Sequence, residues 1–418
     1  RQLSHRNTEM RNRMKSKMQR DVNWKEILYL ACLCTYIIIS TLVGEGSILT
    51  YIPLVKWEHY IAFINMIKAL LVLKMIFDIA EEPRMIFLIA ITETIGFMVY
   101  THNPTDVFLS MALWFLCAGK NVRARKITEC LFGSHLVSFI ILESLCVAGI
   151  VPLGKTIKSG HLVASYSLGF SHPNTAASKI LQLVLLFWLL RKGRLRLIHY
   201  LGIIITMVVV KAVTDCSTVV LLLGLLLICT VLYNKRGVTQ FLYRKITVVR
   251  NLFLAGYLGV LGITTVFVCL CKDGEIFKKL FGTFGARIAE AVKYYQYYGF
   301  SLWGQPLMYY KSDPKEAEKA GLYTLDNGYM YLLLGFGIVL FLYFIFLHAG
   351  TLWWMFERRR LDYVIVYGIF FIYGFLETLV IRTGMNFTLF YLFGFIWEYY
   401  DRRKQVENSR SRRLWQKN

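Results

Sequence analysis

Residues 328–347 read GYMYLLLGFGIVLFLYFIFL, an apolar run of the length that a helix needs to cross a membrane. The hydrocarbon core of a bilayer is about 30 Å thick and takes about 20 apolar residues of α-helix. Many other runs along the chain approach this length. Hydrophobic residues make up 56% of the 418 residues, charged residues make up 18%, and the mean hydropathy is +0.49. This composition predicts an all-α, polytopic membrane protein, because a lipid-exposed backbone must satisfy its own hydrogen bonds.

Twelve apolar segments give a self-consistent transmembrane topology, and the polar interruption Lys272–Asn327 is the longest between them. The predicted spans are 27–43, 60–79, 85–100, 104–119, 130–152, 175–190, 197–213, 215–233, 251–271, 328–348, 361–379 and 385–400. Basic stretches flank the spans at both ends of the chain. We therefore divide it into an N-terminal segment (1–26), a transmembrane domain (27–400) and a C-terminal tail (401–418).

The positions of the basic residues orient the predicted spans. The net charge is +22, and the lysines and arginines lie in short clusters between apolar runs. Cytoplasmic loops next to anionic lipid carry such an excess, so the pattern argues against nucleic-acid binding. It predicts that both termini are cytoplasmic and that loops 153–174 and 272–327 lie outside. The longer loop also carries basic residues, which the rule tolerates in long translocated segments.

Nucleotide and metal motifs are absent from the sequence. The chain has no Walker A motif, no Rossmann glycine fingerprint and no H-E-x-x-H zinc motif, and none of its polar clusters has the carboxylates that a Mg²⁺ site needs. The nine cysteines lie almost wholly within apolar runs, as small buried residues do. We expect no metal and no cofactor. Since the cytoplasmic loops are too short to hold a nucleotide-sugar domain, the donor of any enzymatic reaction should be carried by the membrane.

The long loop 272–327 indicates the position of a site. Loops this long are usually functional or disordered, and this one keeps the Gly, Phe, Tyr and Trp residues that disordered linkers lack. Arg287 lies in it between small and apolar neighbours, and a guanidinium binds phosphate oxygens in a bidentate manner. The alternative is an ion pair with Glu290 on a surface helix. Tyr298 and its aromatic neighbours are candidates to stack on sugar rings or to anchor at the membrane interface.

Polar residues on the other predicted outer segments are candidates for the same site. His172 can donate hydrogen bonds or shuttle a proton. Asn174 resembles an N-cap that opens the next helix, and a helix N-terminus there would favour an anion. The alternative is an interface turn with an ordinary histidine. Asp326 and Asn327 precede the tenth span, either as a capping turn or as a carboxylate and an amide that face the outer pocket.

Further charged candidates lie near the ends of spans. Glu377, Arg382 and Asn386 lie between the final two spans, and ionisable residues at membrane depth are functional candidates by default. A Glu–Arg pair buried for packing is the alternative. Lys211 and Asp215, at the outer turn between spans seven and eight, are a weaker candidate. Together these groups offer cations and hydrogen-bond donors with few acids, which suits a pyrophosphate-linked lipid better than a metal site or a cation pathway.

Four motifs around these residues resemble a known family. They are SLGFSHPN at 167–174, GARI at 285–288, YYGFSLWGQPL at 297–307 and LDNGYMYLLLGFGI at 325–338. In order, spacing and the long outer loop, they resemble the Wzy-type oligosaccharide repeat-unit polymerases of capsule, exopolysaccharide and O-antigen gene clusters, and look closest to the Gram-positive versions. The resemblance covers most of 120–400. Related O-antigen ligases share a GT-C-like membrane fold and rely on outer-face arginine and histidine residues.

The resemblance implies a metal-independent glycosyltransferase in the bacterial cytoplasmic membrane. Such an enzyme transfers a growing glycan from undecaprenyl pyrophosphate to an incoming lipid-linked repeat unit at the outer face, with a flippase and a chain-length regulator as possible partners. Arg287 would bind the departing pyrophosphate, with His172 in the same pocket, and Glu377 and Asp326 are the candidate bases. The residues expected to bind substrate are Asn174, Asn327, Arg382, Asn386, Lys211 and Tyr298.

One motif departs from the family, and two alternative functions stay open. The T-D-S-R-T-like stretch expected after span seven reads TDCST at 214–218, without the arginine, which leaves Lys211 or Arg382 as a substitute. A glycan ligase would use the same donor and a different acceptor. A flippase for the lipid-linked repeat would need a charged path through the spans. The residues that could line such a path are Lys68, Lys74, Glu93 and Glu143.

Overall fold

The computed structural model describes residues 23–104, 108–157, 164–271, 274–308, 314–392, 394 and 396. The predicted tail 401–418 and most of the predicted segment 1–26 lie outside these residues. The described helices are α1 (Trp24–Ile39), α2 (Ile48–Tyr51), α3 (Trp57–Glu81), α4 (Met85–His102), α5 (Phe108–Cys117), α6 (Ala124–Val147), α7 (Pro173–Leu190), α8 (Leu197–Thr214), α9 (Ser217–Asn234), α10 (Arg236–Arg244), α11 (Ile246–Leu270), α12 (Glu275–Tyr298), α13 (Pro314–Lys319), α14 (Gly328–Glu357) and α15 (Leu361–Leu376). Two antiparallel strands, β1 (Lys155–Ile157) and β2 (Ala164–Tyr166), pair between α6 and α7.

Nine helices in the described part of the chain are long and apolar enough to cross a membrane. They are α1 with the π-helical turn that extends it to Glu45, α3, α4, α6, α7, α8, α9, α11 and α14. Apolar side chains such as Phe87 and Leu270 are exposed on helix surfaces, as expected where helices face lipid. Large buried side chains, among them Trp188 and Phe115, fill the space between helices. The prediction of an all-α, polytopic membrane protein is confirmed.

The first half of the predicted span 385–400 is not an α-helix, because residues 385–392 are irregular or 3₁₀-helical; of the rest the structure describes only 394 and 396, which are helical. After α15 the chain makes two 3₁₀ turns, Thr378–Ile381 and Phe387–Tyr391. The second turn is buried, and the hydroxyl of Tyr391 lies 2.8 Å from that of Thr128, near the start of α6. Irregular backbone is tolerated at membrane depth only where it is buried in protein or lines a water-filled cavity. An apolar sequence predicted a helix here, because composition does not distinguish lipid-facing residues from residues buried by other helices.

One end of the helix bundle gathers the segments that carry most of the candidate residues. The π-helical turn Ser40–Glu45 ends there, and the next residue, Gly46, pairs with Phe170 in an antiparallel bridge. The start of α7, the start of α14 and the end of α15 meet beside it, and α12 contacts them through Arg287. We call this end of the bundle the cap end.

The predicted outer loop 272–327 is largely helical where it is described. Helix α12 has 24 residues and bends at Gly282, whose φ is 56°. The hydroxyl of Tyr294 on α12 donates to the carbonyl of Met308 at 3.0 Å, so the following loop folds back along the helix. Helix α13 then precedes the approach to α14. The segment therefore packs on the bundle as a helical cap.

Helix α14 is broken at Gly337, and the loop after α12 occupies the break. Gly337 has φ 86° and ψ 168°, a conformation essentially restricted to glycine. The amide of Ile338 donates to the carbonyl of Ser301 at 3.0 Å, and the amide of Gln305 donates to the carbonyl of Gly335 at 3.0 Å. The loop backbone thus satisfies groups that the interrupted helix leaves unpaired. Two of the sequence motifs meet at this break.

Replacing Gly337 with alanine is expected to destabilise the protein by about 3 kcal/mol, since strained positions of this kind cost about 1–3 kcal/mol before any clash. A Cβ atom at this position would lie 2.5 Å from the carbonyl oxygen of Leu302. Gly262→Ala is the matched control, because Gly262 lies within α11 and a Cβ there would meet no atom within 4 Å. Thermal unfolding in detergent measures both variants. Equal melting temperatures would contradict this packing of the loop.

Candidate functional site

Arg287 of α12 meets Glu377, the residue that follows α15. The guanidinium Nη2 and the carboxylate Oε1 lie 3.6 Å apart, and the two side chains are 18% and 7% exposed. Asn174, in the first turn of α7, donates from Nδ2 to the same Oε1 at 3.2 Å. Glu290, the alternative partner of Arg287, pairs with Lys293 at 2.9 Å. The structure thus brings together three predicted site residues that are far apart in sequence, and we call them the Arg287–Glu377 cluster.

His172 lies beside this cluster as the N-cap of α7. Its Nδ1 accepts a hydrogen bond from the amide of Asn174 at 3.2 Å. Pro173 occupies the first helical position, where its fixed φ favours the helix and its missing N–H costs nothing. The sequence placed the cap at Asn174, and this was wrong by two residues because an imidazole nitrogen can accept the amide proton. Asn174 is thereby free to direct its side chain at Glu377.

Two helices begin at the cluster. Helix α7 contributes Asn174, and the first residue of α14, Gly328, lies so close to Glu377 that a Cβ atom would be 3.0 Å from the Glu377 carbonyl oxygen. Asn327 caps α14, and its Oδ1 accepts hydrogen bonds from the amides of Tyr329 and Met330, both at 3.1 Å. Helix N-termini carry partial positive charge and favour anions. Of the two roles considered for Asn327, a helix cap or an amide facing the pocket, the structure shows the helix cap.

Asn174 is held firmly and keeps one polar atom unused. The hydroxyl of Ser178 donates to the carbonyl of Asn174 at 2.7 Å and contacts the hydroxyl of Tyr373 on α15. The Oδ1 atom of Asn174 is buried and has no hydrogen-bond partner among the described residues. A buried amide oxygen normally has one. It is therefore an acceptor that a bound hydroxyl group can use.

Asp326 and Tyr298 lie near the buried Tyr294. The rings of Tyr294 and Tyr298 stack with their centroids 6.2 Å apart, and the Tyr298 hydroxyl accepts from the amide of Met308 at 2.7 Å. Burial, together with neighbouring groups that include Asp326, raises the pKa of Tyr294. Tyr297 is 55% exposed, so it offers a ring face to a sugar more openly than Tyr298 does. A sugar-stacking role for Tyr298 stays a prediction.

Asn386 organises the irregular segment after α15. It is fully buried, its Nδ2 donates to the carbonyl of Val380 at 2.7 Å, and its Oδ1 accepts from the amide of Thr388 at 3.1 Å. The half-buried Arg382 belongs to the same turn, since its carbonyl accepts from the amide of Asn386 at 3.0 Å. These contacts give Asn386 a structural role. Substrate binding by Asn386 or Arg382 stays a prediction.

Lys211 lies at the turn between α8 and α9. Its ammonium is 2.5 Å from the Asp215 carboxylate and donates to the Ser217 hydroxyl at 3.0 Å, and its side chain is half exposed. Asp215 has a left-handed backbone with φ 49° and ends α8. Lys211 is thus engaged by its own turn. Its predicted role as a substitute for the missing arginine stays a prediction.

Sequence reasoning missed a buried ion pair between Lys179 of α7 and Glu45. The two charged groups lie 2.8 Å apart, and the side chains are 1% and 0% exposed. The signal was present, because a lysine inside an apolar run is a functional candidate by default. Lys179 lies five residues beyond the motif that ends at Asn174, so that motif does not mark it.

Three of the four charged residues proposed for a transport path interact with an oppositely charged residue nearby. Lys74 pairs with Asp78 on its own helix at 2.6 Å, and both side chains are fully buried. Lys68 interacts electrostatically with Glu93 on the neighbouring helix α4. Glu143 has one buried carboxylate oxygen with no hydrogen-bond partner among the described residues. The Lys74–Asp78 and Lys68–Glu93 contacts join adjacent turns of one helix or two adjacent helices. Helix packing therefore explains them as well as a transport path does.

The Arg287–Glu377 cluster combines a guanidinium, a carboxylate, an amide and two helix N-termini. The guanidinium and the helix N-termini favour a phosphate-bearing ligand, and the carboxylate can accept a proton. The chain matches no family model, no curated protein and no solved structure. Function is therefore inferred from the residues of this cluster and from the motifs around them.

Proposed function

We propose that the chain is a polysaccharide polymerase of the bacterial cytoplasmic membrane. It transfers a growing glycan from undecaprenyl pyrophosphate to an incoming lipid-linked repeat unit, without nucleotide or metal. The observation that carries this proposal is the 3.6 Å contact between Arg287 of the GARI motif and Glu377, a predicted site residue 90 positions away in the sequence. Asn174 completes the cluster and His172 lies beside it, so four of the predicted residues are close together.

The distribution of charge supports an outer position for the cluster. At the opposite end of the bundle from the cap end, α6 begins after Arg123, α7 ends before Arg191 and α15 begins after Arg360. Loops rich in lysine and arginine stay in the cytoplasm. In the proposed arrangement the chain crosses the membrane twelve times, with both termini inside, and adopts a GT-C-like architecture. The segment 272–327 then covers the site from outside.

The proposed reaction uses the two charges of the cluster in sequence. When the donor pyrophosphate binds Arg287, the guanidinium exchanges its carboxylate partner for phosphate oxygens. Glu377 then accepts the proton of the acceptor hydroxyl, whose oxygen forms the new bond to the anomeric carbon. The bond between that carbon and the pyrophosphate breaks, and the departing charge develops beside Arg287 and the helix N-termini. Asn174 accepts a hydrogen bond from a sugar hydroxyl through its unpaired Oδ1.

Cells that lack the protein separate this proposal from its alternatives. Loss of a polymerase leaves single lipid-linked repeats at the outer face of the membrane. Loss of a flippase leaves single repeats at the inner face, and loss of a ligase leaves polymer attached to lipid. Extracted lipid-linked glycans are sized after labelling of intact cells with a membrane-impermeant reagent. Labelled single repeats are expected, and either of the other two products would contradict the proposal.

A further inference from the structure

The ammonium of Lys179 is the centre of a buried polar junction behind the cluster. Lys179 lies on α7 just over one turn beyond Asn174, where it is 1% exposed. Besides its 2.8 Å ion pair with Glu45, it donates to the Thr41 hydroxyl at 3.0 Å and to the carbonyl of Gly384 at 2.6 Å. These three partners surround one nitrogen with oxygen atoms. Nδ1 of His135 lies 3.5 Å from the same nitrogen. The ammonium is therefore enclosed by one ion pair and by hydrogen-bonding neighbours.

The partners of Lys179 belong to segments that carry or adjoin site residues. The carbonyl of Glu45 accepts a hydrogen bond from the amide of Ser171 at 2.9 Å, directly before His172. Gly384 lies within the turn that Asn386 organises. Lys179 thus joins the end of α1, the N-terminal half of α7 and the irregular segment after α15. This one side chain therefore links the N-terminal half of α7 to the end of α1 and to the segment that follows Glu377.

Stability alone is a poor explanation for this junction. A buried ion pair is often no more stabilising than apolar residues of the same size. The carbonyl of Gly384, by contrast, lies in irregular backbone and needs a donor that no regular helix would supply. The glutamate and Thr41 are both presented by the six-residue π-helix Ser40–Glu45, and π-helical turns are frequent at functional sites. Positioning explains these features together.

We propose that Lys179 and Glu45 are positioning residues for the Arg287–Glu377 cluster. Glu45 fixes the charge and direction of the Lys179 ammonium, and Lys179 holds the Gly384 carbonyl and hence the turn that follows Glu377. The reaction they serve rests on the proposed function. The positioning itself is a property of the backbone, and it can be measured without any glycan substrate.

Hydrogen exchange in the purified full chain tests the positioning. Lys179→Met removes the donor to Gly384 and leaves Glu45 buried without a partner, so its melting temperature should fall by roughly 5 °C or more. The double variant Glu45→Gln with Lys179→Met removes both charges and should recover most of that loss. In both variants, amide exchange in peptides covering 167–175 and 379–391 should be about tenfold faster or more. The rate of glycan transfer should fall by about 10- to 100-fold.

The control is a second fully buried lysine–carboxylate pair among the described residues, Lys74 and Asp78, whose charged groups lie 2.6 Å apart. Lys74→Met with Asp78→Asn should leave exchange in the two peptides at the parent rate. If the double variant at Lys179 and Glu45 recovers parent exchange, the pair only balances charge and the positioning proposal is wrong. If the parent itself transfers no glycan, the proposed function fails and the exchange result still decides the positioning.

Discussion

Replacing Arg287 with lysine is expected to lower the rate of glycan transfer by about 100-fold, the usual scale for removing one group that stabilises developing charge. Lysine keeps the positive charge but loses the planar pair of donors that holds two phosphate oxygens at once. The Arg287 side chain is only 18% exposed and faces Glu377, so a shorter point charge would also leave that carboxylate less firmly held. The rate is measured as the growth of a polymer ladder by purified protein in vesicles.

Lys293→Arg is the matched control for Arg287→Lys. Lys293 lies on the same helix and pairs with Glu290 at 2.9 Å, outside the cluster. This control replaces a lysine with an arginine, the reverse of Arg287→Lys. It should change the transfer rate by less than about twofold, as substitutions away from a site usually do. If both Arg287→Lys and Arg287→Ala transfer glycan at the parent rate, Arg287 does not bind the pyrophosphate.

Replacing Glu377 with glutamine is expected to lower the transfer rate by about 1,000-fold, within the range that general base catalysis contributes. Glutamine retains a hydrogen bond to Asn174 but cannot accept the proton of the acceptor hydroxyl. It also removes the charge that Arg287 faces in the unliganded protein. Donor binding should therefore be kept or strengthened while transfer is lost. Binding of undecaprenyl pyrophosphate to the purified variant, compared with its transfer rate, separates these two effects.

Glu290→Gln is the control for Glu377→Gln. Glu290 is a partly buried carboxylate on α12 that also pairs with a cation. Its neutralisation should leave the transfer rate within about twofold of the parent. A Glu377→Gln variant that transfers glycan at the parent rate would exclude Glu377 as the base and leave Asp326 as the next candidate.

Hydropathy predicted most of the fold, because a membrane-spanning helix must be apolar over its full length. It failed at 385–392, where the chain forms a 3₁₀ turn that other helices bury. The same types of apolar residue are found in lipid-facing helices and in turns that the protein buries. The break of α14 at Gly337 was equally hidden, because a single glycine in an apolar run is compatible with a continuous helix.

The sequence predicted which residues form the candidate site, but not which of them contact each other. Arg287, His172, Asn174 and Glu377 were all singled out in the sequence, and the structure places them together. Their pairing follows from how α7, α12 and α15 pack, which no local pattern encodes. Local patterns also favoured Glu290 as the partner of Arg287, since it lies one helical turn away. In the structure Arg287 instead contacts Glu377, and Glu290 pairs with Lys293.

Reconstitution tests the central claim most directly. Purified protein in vesicles receives synthetic undecaprenyl-pyrophosphate-linked repeat units and a metal chelator, with no nucleotide, and the products are separated by size. The account predicts a polymer ladder from the parent protein and single repeats only from Arg287→Ala. A ladder that Arg287→Ala produces at the parent rate, or single repeats that persist with the parent protein, would contradict it.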